Sequence, residues 1–148
     1  MSSNSLHYQT VKPILRSCLE KIMKIEEFKP FRLVGGTSLS LRYGHRMSDD
    51  IDLFTDAKYG SLDFLALQNI LRTEFEYCYG DCGDLVGFGS SYFIGNSKDD
   101  CVKLDLFYTD TFIRPFEEYN SIRMAAVEDI IAMKKRIKKI KSISARTT

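Results

Sequence analysis

Residues 31–54 read FRLVGGTSLSLRYGHRMSDDIDLF, and this stretch decides how the rest of the chain is organised. Leu33 and Val34 close a short apolar run that reads as a buried strand, and Gly35-Gly36 follows at once. Glycine tolerates backbone angles and close approaches that a side chain forbids. Thr37 and Ser38 suit a helix N-terminus, and Leu39 and Tyr43 at i, i+4 predict one or two helical turns. A helix start offers free N–H groups and a partial positive charge, which suits a phosphate chain. Alone, the Gly-Gly-Thr-Ser string reads first as a capped glycine turn with no ligand. The second half of the stretch changes that. Asp50-Ile51-Asp52-Leu53-Phe54 alternates charged and apolar residues, so on a strand Asp50 and Asp52 share one face, about 6.5–7 Å apart along the chain, while Ile51 and Leu53 enter the core. Two like-charged carboxylates side by side are costly without a cation, and hard divalent ions take carboxylates together with substrate phosphates.

Working outward, Cys101-Val102-Lys103-Leu104-Asp105-Leu106-Phe107 has the composition and alternation of a strand, with one carboxylate between two leucines. The helical period of Val11, Ile14, Leu15, Cys18, Leu19, Ile22 and Met23 predicts a core-packing helix from Thr10 to about Glu27, with Pro13 in its first turn. A second helix is expected from a Ser61 cap to about Phe75. Glu76 to Gly95, rich in glycine and aromatics, reads as short strands with tight turns. Asp81 and Asp84 are turn residues in that reading, and Ser90-Ser91 are either loop hydroxyls or ligand contacts. Thr109 to Asn120 reads as irregular, and Ala125 to Lys141 as a helix with a one-signed basic run from Lys134 onward, which favours a phosphate partner.

At 148 residues the chain fits one domain, and its net charge of +1 confines any nucleic-acid contact to a local patch. The four cysteines lack the two-residue gap of common zinc sites and read as free thiols. Met1 to Thr10 is too polar for a signal peptide, and no apolar run approaches a membrane span, so the expectation is a reduced, cytoplasmic location and no membrane partner.

An apolar residue, Gly-Gly, a spacer and then acidic-apolar-acidic-apolar is the pattern of the nucleotidyltransferase superfamily that includes polymerase beta, and Val34-Gly35-Gly36 with Asp50-Ile51-Asp52-Leu53 resembles it. The finer match, carried by Gly35, Gly36, Thr37, Leu39, Arg46, Ser48, Asp50, Asp52 and Phe54, is similar to the AbiEii/AbiGii toxin family of abortive-infection and type IV toxin–antitoxin systems. The resemblance implies an α/β (α+β) fold, a small mixed sheet flanked by helices, as a single nucleotidyltransferase domain over residues 1–148. It implies a third carboxylate, Asp105, on a strand beside the Asp-x-Asp strand. It implies a site in which Asp50, Asp52 and Asp105 hold two Mg²⁺ or Mn²⁺ ions. Gly35, Gly36, Thr37, Ser38, Arg46, Ser48 and Lys134 then receive the nucleotide, Lys134 through its match to Asp-x-x-Ala-Met-Lys at residues 129–134. The implied reaction is metal-dependent transfer of NMP from an NTP to an acceptor, RNA first, with a cognate antitoxin as partner. The family's usual helical region after Lys134 has no counterpart in the basic run to Thr148. That departure keeps open an alternative, a catalytically idle nucleotide-binding or partner-docking module of the same fold.

Overall fold

The computed structural model describes residues 5–80 and 89–135. Four helices frame the sheet among these residues: α1 (Pro13–Met23), α2 (Gly35–Tyr43), α3 (Phe64–Glu74) and α4, helical over 127–135. The strands are β1 (Arg32–Val34), β2 (Asp50–Thr55), β3 (Tyr77–Gly80), β4 (Gly89–Ser97), β5 (Asp100–Tyr108), β6 (Glu117–Tyr119) and β7 (Ile122–Met124). They form one mixed sheet in the order β3-β4-β5-β2-β1-β7-β6. β2 runs parallel to β5 and antiparallel to β1, and β4 is antiparallel to both β3 and β5. The expected mixed α/β architecture is therefore what the chain adopts, with the Asp-x-Asp strand directly beside the Asp105 strand.

Alternation decides which side of the sheet is the core. Ile51, Leu53, Leu104, Leu106 and Ile94 are fully buried on one face, against Leu15, Leu19 and Ile22 of α1 and Phe64, Leu67 and Leu71 of α3. Each such side chain contributes roughly 1.5–3 kcal/mol of burial. The opposite face is covered over only part of its width. There α4 brings Ile130 and Met133 against Val34, Phe112, Ala125, Leu39 and Phe54.

Local chemistry shifts several predicted boundaries. α1 begins at Pro13 rather than Thr10, because the residue before a proline is held extended (Lys12, ψ 151°). The freed segment pairs elsewhere, the Ser48 N–H donating to Thr10 O at 2.9 Å. The cap of α3 is Asp63, not Ser61: its Oδ1 accepts the Ala66 N–H at 3.1 Å. α2 stops at Gly44, whose φ of +65° suits glycine and whose N–H closes on Ser40 O. The irregular stretch predicted for 109–120 ends in a hairpin, β6 with β7, turned by Asn120 and Ser121 with φ of 51° and 69°. Behind it Arg123 is buried and satisfied by the carbonyls of Met23, Phe28 and Phe31. Arg42 of α2 ties to this hairpin through Glu117 at 2.7 Å and Ala125 O at 2.8 Å. Cys18, Cys78 and Cys101 are free thiols. The readings of Asp81, Cys82, Asp84 and the basic run beyond Lys135 lie outside the described residues. Among the described residues no helix is long and apolar enough to cross a membrane.

Candidate active site

The parallel pairing of β2 and β5 sets Asp52 opposite Asp105, with Asp50 opposite Lys103 one pleat away and Phe54 opposite Phe107 on the other side. All six project from the face that the main core leaves free, since the intervening Ile51, Leu53, Leu104 and Leu106 point inward. Asp52 and Asp105 are in hydrogen-bonding contact. Burial first, and then the charge and hydrogen bond of Asp105, push the Asp52 carboxyl up to about 7; Asp50 adds to the rise and Lys103 opposes it. Asp105 is itself oriented: Ser91 Oγ donates to its Oδ1 at 2.6 Å, and Lys103 Nζ stands 3.9 Å from the same oxygen. Asp50 is exposed at the start of β2. Among the described residues no three His, Cys, Asp or Glu side chains form one metal-holding group. The convergence is thus a pair, Asp52 with Asp105, and Asp50 shares its face without joining it.

The glycine turn closes on this pair. Gly35 has φ of +76°, and a Cβ there would overlap the Asp52 carboxylate. A Cβ at Gly36 would overlap the Arg46 guanidinium. Gly35 therefore needs glycine for its backbone angle and its close approach, whereas at Gly36 the neighbour is the movable end of Arg46; the turn brings the start of α2 against Asp52 and beneath Arg46. The helix starts at Gly35 itself, behind an extended Val34 with no side-chain cap, so Thr37 and Ser38 are not the expected caps. Thr37 is buried; its hydroxyl donates to the Asp50 carbonyl and accepts from Ser48 Oγ, which lies 2.6 Å away. Thr37 and Ser48 together pin the helix start to the head of β2. Ser38 is also buried, its hydroxyl without a partner among the described groups. The side of this turn that faces a ligand is consequently backbone N–H, the group that an N-terminal turn leaves unpaired.

A cavity of about 230 Å³ opens beside the turn, lined by Val34, Gly35, Asp52, Phe54, Ile130, Met133 and Lys134. Its walls are apolar, with one carboxylate, Asp52, and one ammonium, Lys134, in the lining. Lys134 reaches it because α4 packs across β1 and β2. Of the residues singled out in the sequence, Gly35, Gly36, Arg46, Asp52, Asp105 and Lys134 gather here; Thr37 and Ser48 support the turn, Ser38 faces inward and Asp50 stands at the edge. Ser91 was left undecided by the sequence, because its partner is set by the β4–β5 register, Ser91 opposite Asp105. Ile130 and Met133 read only as a helical stripe until the crossing of α4 is known.

The profile described as nucleotidyl transferase AbiEii toxin, type IV toxin–antitoxin system, matches residues 17–137. The chain belongs to this AbiEii nucleotidyl transferase toxin family. A crystal structure of a candidate nucleotidyltransferase from Helicobacter pylori resembles this AbiEii chain with a TM-score of 0.57 and 21% identity, over 82% of this chain and 54% of that one. The H. pylori protein JHP933 does so with a TM-score of 0.56 and 21% identity, over 82% of this chain and 53% of that one. An uncharacterized protein of Aquifex aeolicus (strain VF5) is 52% identical over 40 residues, 27% of this chain and 19% of that protein. The chain spans about half the length of the two solved structures, and at this identity the likeness speaks for the fold.

Proposed function

We propose that this AbiEii-family chain is a metal-dependent nucleotidyltransferase that moves NMP from an NTP to an RNA acceptor, as the toxin of a pair restrained by a cognate antitoxin. The observation that carries this reading is the Asp52–Asp105 contact held against the Gly35 turn. Two touching carboxylates that keep one proton near neutral pH are a donor set that suits Mg²⁺ or Mn²⁺, hard ions whose other ligands are water and phosphate oxygens. Asp52 and Asp105 would hold the metal, with Asp50 at the edge as a further oxygen donor; when bound, such an ion neutralises phosphate charge and lowers the pKa of an attacking hydroxyl.

The chain's own groups supply the rest. The Gly35–Gly36 backbone, Arg46 and Lys134 receive the negative triphosphate, Arg46 as a planar fork and Lys134 as a mobile charge. The acceptor hydroxyl attacks the α-phosphorus, the bond to the β-phosphate oxygen breaks, and pyrophosphate leaves. Asp105, held in orientation by Ser91, takes the hydroxyl proton. The runner-up is a nucleotide-binding module without turnover, favoured by the failure of Asp50 to join the pair in a three-residue group among the described residues. Incubation with α-labelled NTPs, Mg²⁺ and total RNA separates the two. Label in RNA that disappears in Asp52→Asn and Asp105→Asn supports transfer. NTP binding without label transfer leaves the module.

A further inference from the structure

Among the described residues, the sheet face that carries Asp52 and Asp105 is roofed by α4 over β1 and β2, and left uncovered over β5, β4 and β3. On the open part the registers align one row across four strands: Asp50, Lys103, Phe93 and Tyr79. Tyr79 is 67% exposed and Phe93 44%, both far above what ring burial would give, and the Lys103 side chain is 44% exposed. Strands stand about 4.8 Å apart, so the row runs for about 14 Å away from the acidic pair. Directly beside it, Ser91, Asp105 and Asp52 form the neighbouring row.

Direction of approach gives this row a use. It rests on the nucleotidyltransferase reading above. In-line transfer puts the attacking and leaving oxygens on opposite sides of the phosphorus. The triphosphate tail belongs to the Gly35–Gly36–Arg46 side, so the attacking hydroxyl comes from the Asp105 side, across β5 and β4. What the open face offers there is two exposed rings and one cation. Aromatic rings on a sheet face stack unpaired bases whatever their identity, and a neighbouring lysine takes a backbone phosphate. A duplex, whose bases are already stacked, gains nothing from such rings.

We propose that the open face of β3, β4 and β5 seats the unpaired end of a nucleic-acid acceptor, with bases stacked on Phe93 and Tyr79, a phosphate on Lys103, and the terminal hydroxyl delivered to Asp105. This makes the acceptor a single-stranded end and gives this chain its acceptor-binding residues.

The test uses the full chain and three fluorescent probes: a mixed-sequence single-stranded RNA of about ten nucleotides, the same sequence in DNA, and the RNA annealed to its complement. Single-stranded probe is expected to bind more tightly than duplex, and the RNA and DNA arms show whether the 2′-hydroxyl matters. Phe93→Ala and Tyr79→Ala should each weaken single-strand binding about tenfold, with Phe93→Trp and Tyr79→Phe restoring it. Lys103→Gln should lower the salt dependence by about one ion. NTP binding, followed by calorimetry in Phe93→Ala and Tyr79→Ala, whose side chains stand clear of the acidic pair, should not change. Equal affinity for duplex and single strand would overturn the proposal. So would unchanged affinity in both alanine variants, the result expected if a protein or a second copy occupies this face. Label transfer by wild type to a protein side chain instead of the probe would overturn it too, while leaving nucleotidyl transfer itself intact and removing only its RNA acceptor. Stacking that behaves as expected with no label transfer to any acceptor would instead sink the transferase reading and keep the surface.

Discussion

Asp52 holds its proton far more tightly than an ordinary carboxyl, through burial first and then its acidic neighbours. Its carboxyl titrates near 7 in the folded protein against about 3.9 unfolded, so between those values the folded state holds the extra proton. The stability this contributes is fully present below about pH 4 and is lost as pH rises through about 7. Asp52→Asn removes the loss. In EDTA, its thermal midpoint should exceed that of wild type at pH 8, by less at pH 5, and converge with it as the pH falls to about 4, while label transfer disappears. A wild-type midpoint that climbs from pH 5 to pH 8 would contradict this. Gly35 makes a second prediction at the same scale. Alanine there would take a φ of +76° and push into the Asp52 carboxylate, so Gly35→Ala should cost about 1–3 kcal/mol in chemical denaturation and abolish calorimetric NTP binding. Intact binding would mean that the turn does not approach a nucleotide. Both residues were legible in the sequence, since two glycines behind an apolar run and two aspartates alternating with apolar residues each have few physical uses. The raised proton affinity was not, because it comes first from burial and then from a neighbour 53 positions away, both set by the tertiary fold.

Among the elements, α4 matters most for the site, and a buried side chain ties its first turn to the segment after β5. Asp129 is buried, and its two oxygens accept the Ile113 N–H at 2.7 Å and the Arg114 N–H at 2.9 Å. Asp56 accepts the Phe112 N–H beside them at 3.1 Å, so the segment after β5 is clamped from two sides. The clamp fixes the first turn of α4 and through it Met133 and Lys134 at the cavity. Asp129→Ala leaves two N–H groups unpaired and should destabilise the fold by about 2–4 kcal/mol. Asp129→Asn keeps the shape and one acceptor oxygen, and should lose less. NTP affinity should fall in the order wild type, Asn, Ala, and fall less in a Lys134→Ala background. An affinity unmoved by Asp129→Ala would show that α4 is placed by its apolar face alone. Elements with strong periodicity were readable, as α1 and β5 illustrate. The β6–β7 hairpin was not: its strands have three residues each, Glu117 and Glu118 face solvent, and its Asn-Ser turn lacks the glycine that usually announces one. The clamp was equally hidden, because Asp129 reads as a polar residue early in a helix until residues 112–114 are seen against it.

Over the whole molecule, one sheet separates two jobs. Its inner face is sealed by α1 and α3 and supplies the stability. Its outer face is divided between a roofed half, where α4 and the glycine turn frame the cavity, and an open half that carries Tyr79, Phe93 and Lys103. Asp52 and Asp105 lie on the seam between the halves, where a donor and an acceptor approaching from opposite sides would meet. The most direct test is a crystal grown with Mn²⁺ and a non-hydrolysable NTP, with anomalous scattering measured at the manganese edge. The expected result is manganese bound by the carboxylates of residues 52 and 105, with the triphosphate against the backbone of residues 35 and 36. Manganese bound elsewhere, or phosphates seated away from that turn, would contradict it.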